Sequence, residues 1–385
     1  MTSEVRHGRL GELAYLDQGP LTAPALLLCN SLGTNTSVWD GQLEVWGRYL
    51  RVIRYDLPGH GASGLSEADY SLERLGADAL SLLDTLGLKQ VALCGLSLGG
   101  MVAARLASAA PHRVSRLVLA CSAASFPPPE SWRERAALVR ARGLASLTPT
   151  LSERWFSSNF WQDHAEQVAA ATAMLSTVGD EGYARCCEVL VAADLSSDLG
   201  SIRVPTLVLA GAEDAAIPAG ASLALWAAIP KAAFRILPGA GHLANLERPR
   251  EFADAVLDQV LGSGAERGGR SRRRVLGDRH VDRAQGSANE LTRDFHDLAT
   301  RFAWAEVWSR PGLDQRTRRL LTLAMLVAMG RLEELEMHLR AALGELTVAE
   351  VRECLLQAAV YCGLPAANAA FKVADRVLGE ERRDG

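Results

Sequence analysis

At 385 residues the chain is longer than a single hydrophobic core usually sustains, so two domains are expected. Its composition, 48% hydrophobic and 22% charged, is that of a globular protein, and a net charge of -4 gives no basic footprint for nucleic acid or an anionic membrane surface. Met1–Gly11 is polar without an apolar core, so it does not read as a signal peptide, and no apolar run approaches the roughly 20 residues that span a bilayer. The seven cysteines (Cys29, Cys94, Cys121, Cys186, Cys187, Cys354 and Cys362) are odd in number, form no C-x-x-C pair and mostly sit in apolar runs. They fit buried thiols in a reducing cytoplasm better than a disulfide framework. No metal site is expected, because the histidines do not pair at ligand spacing and Cys186-Cys187 has no nearby partner.

From Ala25 onward, short apolar runs alternate with amphipathic stretches. Strands are predicted at Ala25–Cys29, Val52–Asp56, Val91–Gly95, Leu117–Cys121, Thr206–Gly211 and Phe234–Leu237, with helices such as Ser71–Leu86 and Leu98–Ala109 between them. That alternation predicts an α/β architecture, a mostly parallel sheet covered on both faces. Between about 123 and 201 no strand is predicted. Helical patches rich in Trp and Arg (Glu130–Arg142, Leu151–Phe160, Glu181–Ala193) read instead as a helical cap over the mouth of the site. The first domain is therefore placed at 1–262. Residues 263–272, marked by the run Gly262-Ser-Gly-Ala-Glu-Arg-Gly-Gly-Arg-Ser271, read as a flexible linker. Residues 273–385 form an all-helical second domain, with helices predicted at Leu291–Arg301, Arg316–Met329, Leu332–Leu343, Val348–Tyr361 and Ala366–Leu378.

Gly95-Leu-Ser97-Leu-Gly99 reads G-x-S-x-G between an apolar strand and a helix, the context of a nucleophile elbow. The turn is so tight that side chains flanking Ser97 would strike neighbouring backbone. A serine needs a base, and the base needs a carboxylate to orient it. In the chain order Ser, acid, His, the candidates are Asp214 after Thr206–Gly211 and His242 after Phe234–Leu237, each in a loop beyond a strand end. Glu213 is the lesser alternative for the acid, and His60 reads as a residue that shapes a turn. An oxyanion hole is expected from the backbone N–H groups of Leu98, directly after the nucleophile, and Leu32, in the loop after the first predicted strand.

At these residues the first domain resembles α/β-hydrolases of the 3-oxoadipate enol-lactonase family. The matching runs are Asn30-Ser-Leu-Gly33, Tyr55-Asp-Leu-Pro-Gly-His-Gly-Ala-Ser63, the elbow, and Gly239-Ala-Gly-His-Leu-Ala-Asn245. Cap runs around Trp132, Arg135, Arg140, Arg154, Trp155 and Gly182–Cys187 match as well. The resemblance implies that Ser97 attacks an enol-lactone while a cap arginine (Arg135, Arg140 or Arg154) holds its carboxylate and Trp132 or Trp155 walls the pocket.

From about Arg273 to Leu378 the chain resembles 4-carboxymuconolactone decarboxylases. The runs are Arg274–Ala284, Ala303–Asp314, Glu336–Ala342 and Tyr361–Asn368. The wider superfamily includes alkylhydroperoxidases, which need paired redox cysteines before the histidine. Here Arg331 and Glu334 stand at those positions, against thiol peroxidase chemistry. The resemblance makes His338 the candidate proton donor, Glu306 its assistant, and Arg310 and Arg340 the carboxylate clamps, since guanidinium binds carboxylates bidentately. A structural ion pair is the alternative role of Glu306 and Arg310. The substrate is its own electron sink, so no cofactor is expected.

The two families catalyse consecutive steps of protocatechuate catabolism, so the chain reads as a bifunctional enzyme acting on small lactone carboxylates. The competing reading is a broad-specificity serine esterase with a non-catalytic helical tail. A homo-oligomer built through the helical domain is implied by the resemblance.

Overall fold

The computed structural model describes residues 5–126, 128–310 and 312–384, with side chains through residue 380. The chain divides into two compact units, Met1–Leu261 and Gly262–Gly385.

The first unit is built on eight strands, β1 (Arg6–Leu10), β2 (Leu13–Gln18), β3 (Ala25–Cys29), β4 (Arg51–Tyr55), β5 (Val91–Leu96), β6 (Val114–Ala120), β7 (Thr206–Gly211) and β8 (Ala233–Leu237). Their order across the sheet is β1-β2-β4-β3-β5-β6-β7-β8. β2 runs antiparallel to both its neighbours, and every later pairing is parallel. β3, β4, β5 and β7 are buried along their whole length, which requires cover on both faces of the sheet. The two arginines of β4 are no exception to burial, because Arg51 is neutralised by Asp17 at 2.9 Å and Arg54 by Asp40. The β1–β2 hairpin was not among the predicted strands. Its first strand is half-exposed and polar, so it lacks the apolar run that betrays a central strand.

Between β6 and β7 the chain leaves the sheet and returns through the cap. Ser125 and Asp194 pair as an isolated bridge, and Leu195 N–H donates to Ala124 O at 2.9 Å, closing the cap's base. Helices Pro129–Arg142, Thr148–Trp155, Ser158–Asp163, Ala165–Ala173 and Asp180–Ala192 fill the excursion. The stretch read as one helix, Leu151–Phe160, is two. Phe156 is extended, and Ser157 caps a new helix by accepting from Phe160 N–H.

In the second unit the predicted flexible linker is corrected. Residues 264–276 form a helix. Ser263 Oγ accepts from Glu266 N–H while Glu266 accepts from Ser263 N–H, a capping box that starts it. One of its three glycines is used for close approach, since a Cβ at Gly268 would lie 2.0 Å from Thr300 O. Gly268, Ser271, Val275 and Leu276 make its buried face. Further helices are Asp278–Gly286, Glu290–Ala299, Gln315–Ala328, Leu332–Ala342, Val348–Cys362 and Leu364–Asp384, with a π-helix at Thr300–Trp308. One apolar cluster includes Leu323, Leu335, Leu339 and Leu355. A smaller one joins Val275, Leu276, Val281 and Trp304 to Trp308 and Met337, and so brings four helical segments around His338.

Candidate active sites

Ser97 sits between the end of β5 and the helix Leu98–Ala109 at φ 56°, ψ -117°, a strained backbone for a residue with a side chain. The surroundings hold it there. Its N–H donates to Ala120 O at 2.9 Å, and its carbonyl accepts from Ser122 Oγ at 2.8 Å. The flanking glycines leave no room for anything larger. A Cβ at Gly95 would lie 2.1 Å from Gly99 O, and one at Gly99 would lie 2.1 Å from Cys29 O. The strain thus points the serine hydroxyl out of the sheet at a helix N-terminus, with Leu98 N–H in its first turn.

The loop after β7 carries Asp214 and the loop after β8 carries His242. Both are buried, and His242 Nδ1 lies 2.9 Å from Asp214 Oδ2. The other carboxylate oxygen accepts from the N–H groups of Ala216 and Ile217 at 2.8 and 2.7 Å, which fixes the acid's orientation. Glu213, the alternative acid, is exposed. His242 and Ser97 face one cavity, with Leu32 on its rim. Gly33, at φ 82°, lets this loop pass beneath the cap, where its Cβ position is 3.0 Å from Leu175 and 3.4 Å from Trp155.

The cap closes that cavity with Trp132, Arg135, Arg154 and Trp155, together with Leu151, Tyr183 and Leu190, which had not been predicted. The guanidinium of Arg135 lies 4.4 Å from the Trp132 ring centroid, and Trp132 Nε1 is anchored on Phe126 O at 2.7 Å. Burial pushes the Tyr183 hydroxyl pKa up, and the adjacent Arg135 pulls it back. Arg154 Nη2 reaches Ala215 O, beside the acid loop, at 3.4 Å. Arg140 does not belong to this group. It is clamped on the cap's surface by Glu181 and Glu188, so its charge is already matched.

Beneath the His242 loop lies a buried carboxylate that the sequence reading missed. Glu247 Oε1 accepts from Gly241 N–H at 2.7 Å and Ser157 N–H at 3.1 Å, while Oε2 accepts from Ser157 Oγ at 2.5 Å. Burial raises its pKa, against the lowering effect of these donors. Nothing in the sequence marks it, because Glu247 stands among other polar and charged residues, Asn245, Arg248 and Arg250.

In the second unit His338 lies on the helix Leu332–Ala342, its ring parallel to Trp308 at 6.2 Å between centroids. Trp308 stacks in turn on Trp304 at 5.2 Å, inside the π-helix. His338 Nδ1 is buried without a hydrogen-bond partner, and its pKa is pulled down to about 4 by burial, then by Arg319 and His280. Arg319 is itself buried, donating to Val275 O at 2.9 Å and pairing with Glu345 at 2.8 Å. Glu306, on the π-helix, pairs with Arg267 at 3.3 Å. Arg310 is exposed, and its carbonyl accepts from Arg318 at 3.0 Å. Arg340 is corrected as a clamp: it is held by Glu336 and Glu380 at 2.8 and 2.7 Å, two residues along the helix from His338 and so on another face. Among the described residues no cluster of His, Cys, Asp or Glu is arranged to hold a metal ion, and no helix is long and apolar enough to cross a membrane.

Comparison with known proteins agrees with this division. Residues 24–249 match the α/β hydrolase fold family, and residues 293–376 match the carboxymuconolactone decarboxylase family. The front of the chain is 38% identical over 244 residues to 3-oxoadipate enol-lactonase 2 of Acinetobacter baylyi, covering 63% of this chain and 91% of that protein. The back is 48% identical over 108 residues to 4-carboxymuconolactone decarboxylase of the same organism, covering 28% of this chain and 81% of that protein. Among solved structures, the enol-lactonase from Burkholderia xenovorans superimposes with a TM-score of 0.62 at 35% identity, over 64% of this chain and 95% of that one. The polypeptide is therefore a fusion of two enzymes, belonging to the α/β-hydrolase fold family through its first unit and to the carboxymuconolactone decarboxylase family through its second.

Proposed function

We propose that the second unit decarboxylates 4-carboxymuconolactone to 3-oxoadipate enol-lactone and that the first unit hydrolyses this lactone to 3-oxoadipate. The observation that carries the reading is the contact of His242 with Asp214 opposite a strained Ser97, in a cavity lined by Arg135 and Arg154. Ser97 Oγ attacks the lactone carbonyl as His242 takes its proton, and Asp214 stabilises the imidazolium. The acyl C–O bond breaks and the enolate leaves, easily, because it becomes a ketone. Water activated by His242 then releases the acid and restores Ser97. Leu98 and Leu32 N–H groups receive the oxyanion. Arg135 and Arg154 are the cationic contacts for the free carboxylate, with Trp132 and Trp155 as walls.

In the decarboxylation the C–CO₂ bond breaks, and its electron pair passes through the ring alkene onto the lactone carbonyl oxygen. A ring carbon is then protonated, by His338 in this proposal. With a pKa about 4, His338 is neutral at pH 7 in the free protein. Incoming carboxylates favour the imidazolium and so oppose that shift, giving the group a proton to deliver. Glu306 assists by balancing charge on the π-helix. The chemistry asks for no cofactor, since the substrate carries the electron sink. The free state of all seven cysteines supports a reducing compartment such as the cytoplasm. The helical unit is proposed to build a homo-oligomer.

The test is to supply 4-carboxymuconolactone to the purified chain and identify the products. CO₂ and 3-oxoadipate are expected. Ser97→Ala releases CO₂ but accumulates the enol-lactone, with hydrolysis lowered by about a thousandfold or more. His338→Ala hydrolyses supplied enol-lactone but does not release CO₂. Loss of both activities in either variant contradicts two separate sites.

A further inference from the structure

Arginines crowd the second unit, and several of them meet a carboxylate. Arg267, Arg273, Arg316, Arg319, Arg340 and Arg376 each pair with an acid. Arg272 differs. It lies on the helix Gly264–Leu276, one turn before Val275 and Leu276, whose side chains join the cluster of Trp304, Trp308 and Met337 next to His338. It is half-buried, its Nε is closed off from solvent, and among the described residues that atom has no hydrogen-bond partner and the side chain no carboxylate. Burial alone lowers its pKa, with no acid to offset the effect. A guanidinium drawn out of water normally has a counter-charge, because the desolvation otherwise goes uncompensated.

The groups that face it are of the same kind. His280, on Asp278–Gly286, has its pKa lowered by burial and then by Arg272 and Arg283. His338 in turn feels Arg319 and His280. Arg272 stands three and four residues before Val275 and Leu276 on one helix face, those two pack in the cluster of Trp304, Trp308 and Met337, and the His338 ring lies parallel to Trp308. Arg272 Nε and His338 Nδ1 are both buried without a partner among the described residues, and a bound anion would match them.

We infer that Arg272, assisted by His280, is the seat for a carboxylate of the ligand bound at His338, the role that Arg340 cannot fill from its own ion pairs. The assignment rests on the decarboxylase reading and names the binding residue of that site. The ligand class is a small dicarboxylate or lactone carboxylate, held at one end by guanidinium and presented to the imidazole at the other.

The full-length chain tests it in two ways. In Arg272→Gln, KM for CO₂ release from 4-carboxymuconolactone rises about tenfold or more, kcat changes less, and Arg272→Lys recovers part of the loss. Separately, millimolar succinate raises the melting temperature of the helical unit in the parent chain and no longer does so in Arg272→Gln, whose own melting temperature without ligand is unchanged or higher. A structural arginine would give the opposite result, a lower melting temperature with KM unmoved, and that overturns the inference. Equal stabilisation of parent and variant by succinate overturns it as well. If the parent releases no CO₂ yet succinate stabilises it through Arg272, the decarboxylase reading fails while the carboxylate seat stands.

Discussion

His60 and His338 stand in unrelated places, yet burial acts on both in the same direction. His60 is completely buried in the turn after β4, its Nδ1 3.1 Å from Pro58 O and its Nε2 without a partner, and its pKa falls to about 4. His338 falls to about 4 as well. In the unfolded chain a histidine titrates near 6.5. Above that pH both residues are neutral in either state. Between 6.5 and 4 the unfolded chain takes up protons that the folded chain refuses, so stability falls as the pH drops through this window. Each site contributes on the order of 3 kcal/mol across the full window. Urea denaturation of the first unit at pH 7 and pH 4.5 measures the effect, and His60→Asn should flatten the slope even where it lowers stability at pH 7. An unchanged slope would mean that His60 is charged when folded. At this scale the sequence was most legible where a residue's role is set by its neighbours in the chain. Ser97, Asp214 and His242 each follow a strand end, and the structure brings Asp214 to His242 and lines one cavity with His242 and Ser97. Arg140 was misjudged because its partners, Glu181 and Glu188, lie 41 and 48 residues away, and local pattern carries no information about them.

The short helix Ala244–Glu247 shows what an element does that no motif announces. It follows the His242 loop and ends on Glu247, whose carboxylate binds that loop at Gly241 and the cap at Ser157. Leu243 N–H also donates to Trp155 O at 2.9 Å, so the cap's aromatic wall and the base's loop are tied by backbone as well. The two segments approach closely, and a Cβ at Gly241 would lie 2.6 Å from Ser157 N. Glu247→Gln keeps the shape but turns one acceptor into a donor facing Ser157. Ser157 Oγ can turn to accept from it, so the loss is the charge on three buried hydrogen bonds, about 1–3 kcal/mol. Lactone hydrolysis is expected to fall by about tenfold, mainly in kcat, with CO₂ release unchanged. A variant with parental hydrolysis would show that the base needs no such support. The helix Gly264–Leu276 teaches a related lesson about reading elements. Five of its first six residues are Gly, Ala or Arg in a pattern that resembles a linker, yet Gly268 is there because Thr300 passes so near, and Ser263 with Glu266 sets its start. Glycine records close approach as readily as flexibility, and composition does not separate the two.

At the scale of the molecule, the sheet and its cap could be read from alternation, but what the helical unit leaves uncovered could not. Leu291, Phe295, Leu298 and Phe302 are 87%, 69%, 57% and 67% exposed. They recur at i, i+4, i+7 and i+11 along Glu290–Ala299 and into the π-helix, the spacing of one helical face. Single exposed apolar residues are ordinary, but a continuous stripe of two leucines and two phenylalanines is the kind of surface that is buried on assembly. The stripe carries no charge of its own, so a second copy of the same face can cover it without unpaired ions, which supports the proposed homo-oligomer. Sedimentation should therefore find the parent chain at a multiple of 41.3 kDa. Replacing Phe295 and Phe302 together by Glu puts two like charges into each copy of that face, and the assembly should dissociate toward single chains. Lactone hydrolysis proposed at Ser97 should survive the change, because every residue proposed for it lies in the first unit. If the parent itself sediments as a single chain at micromolar concentration, the stripe has another purpose and self-association is not what covers it.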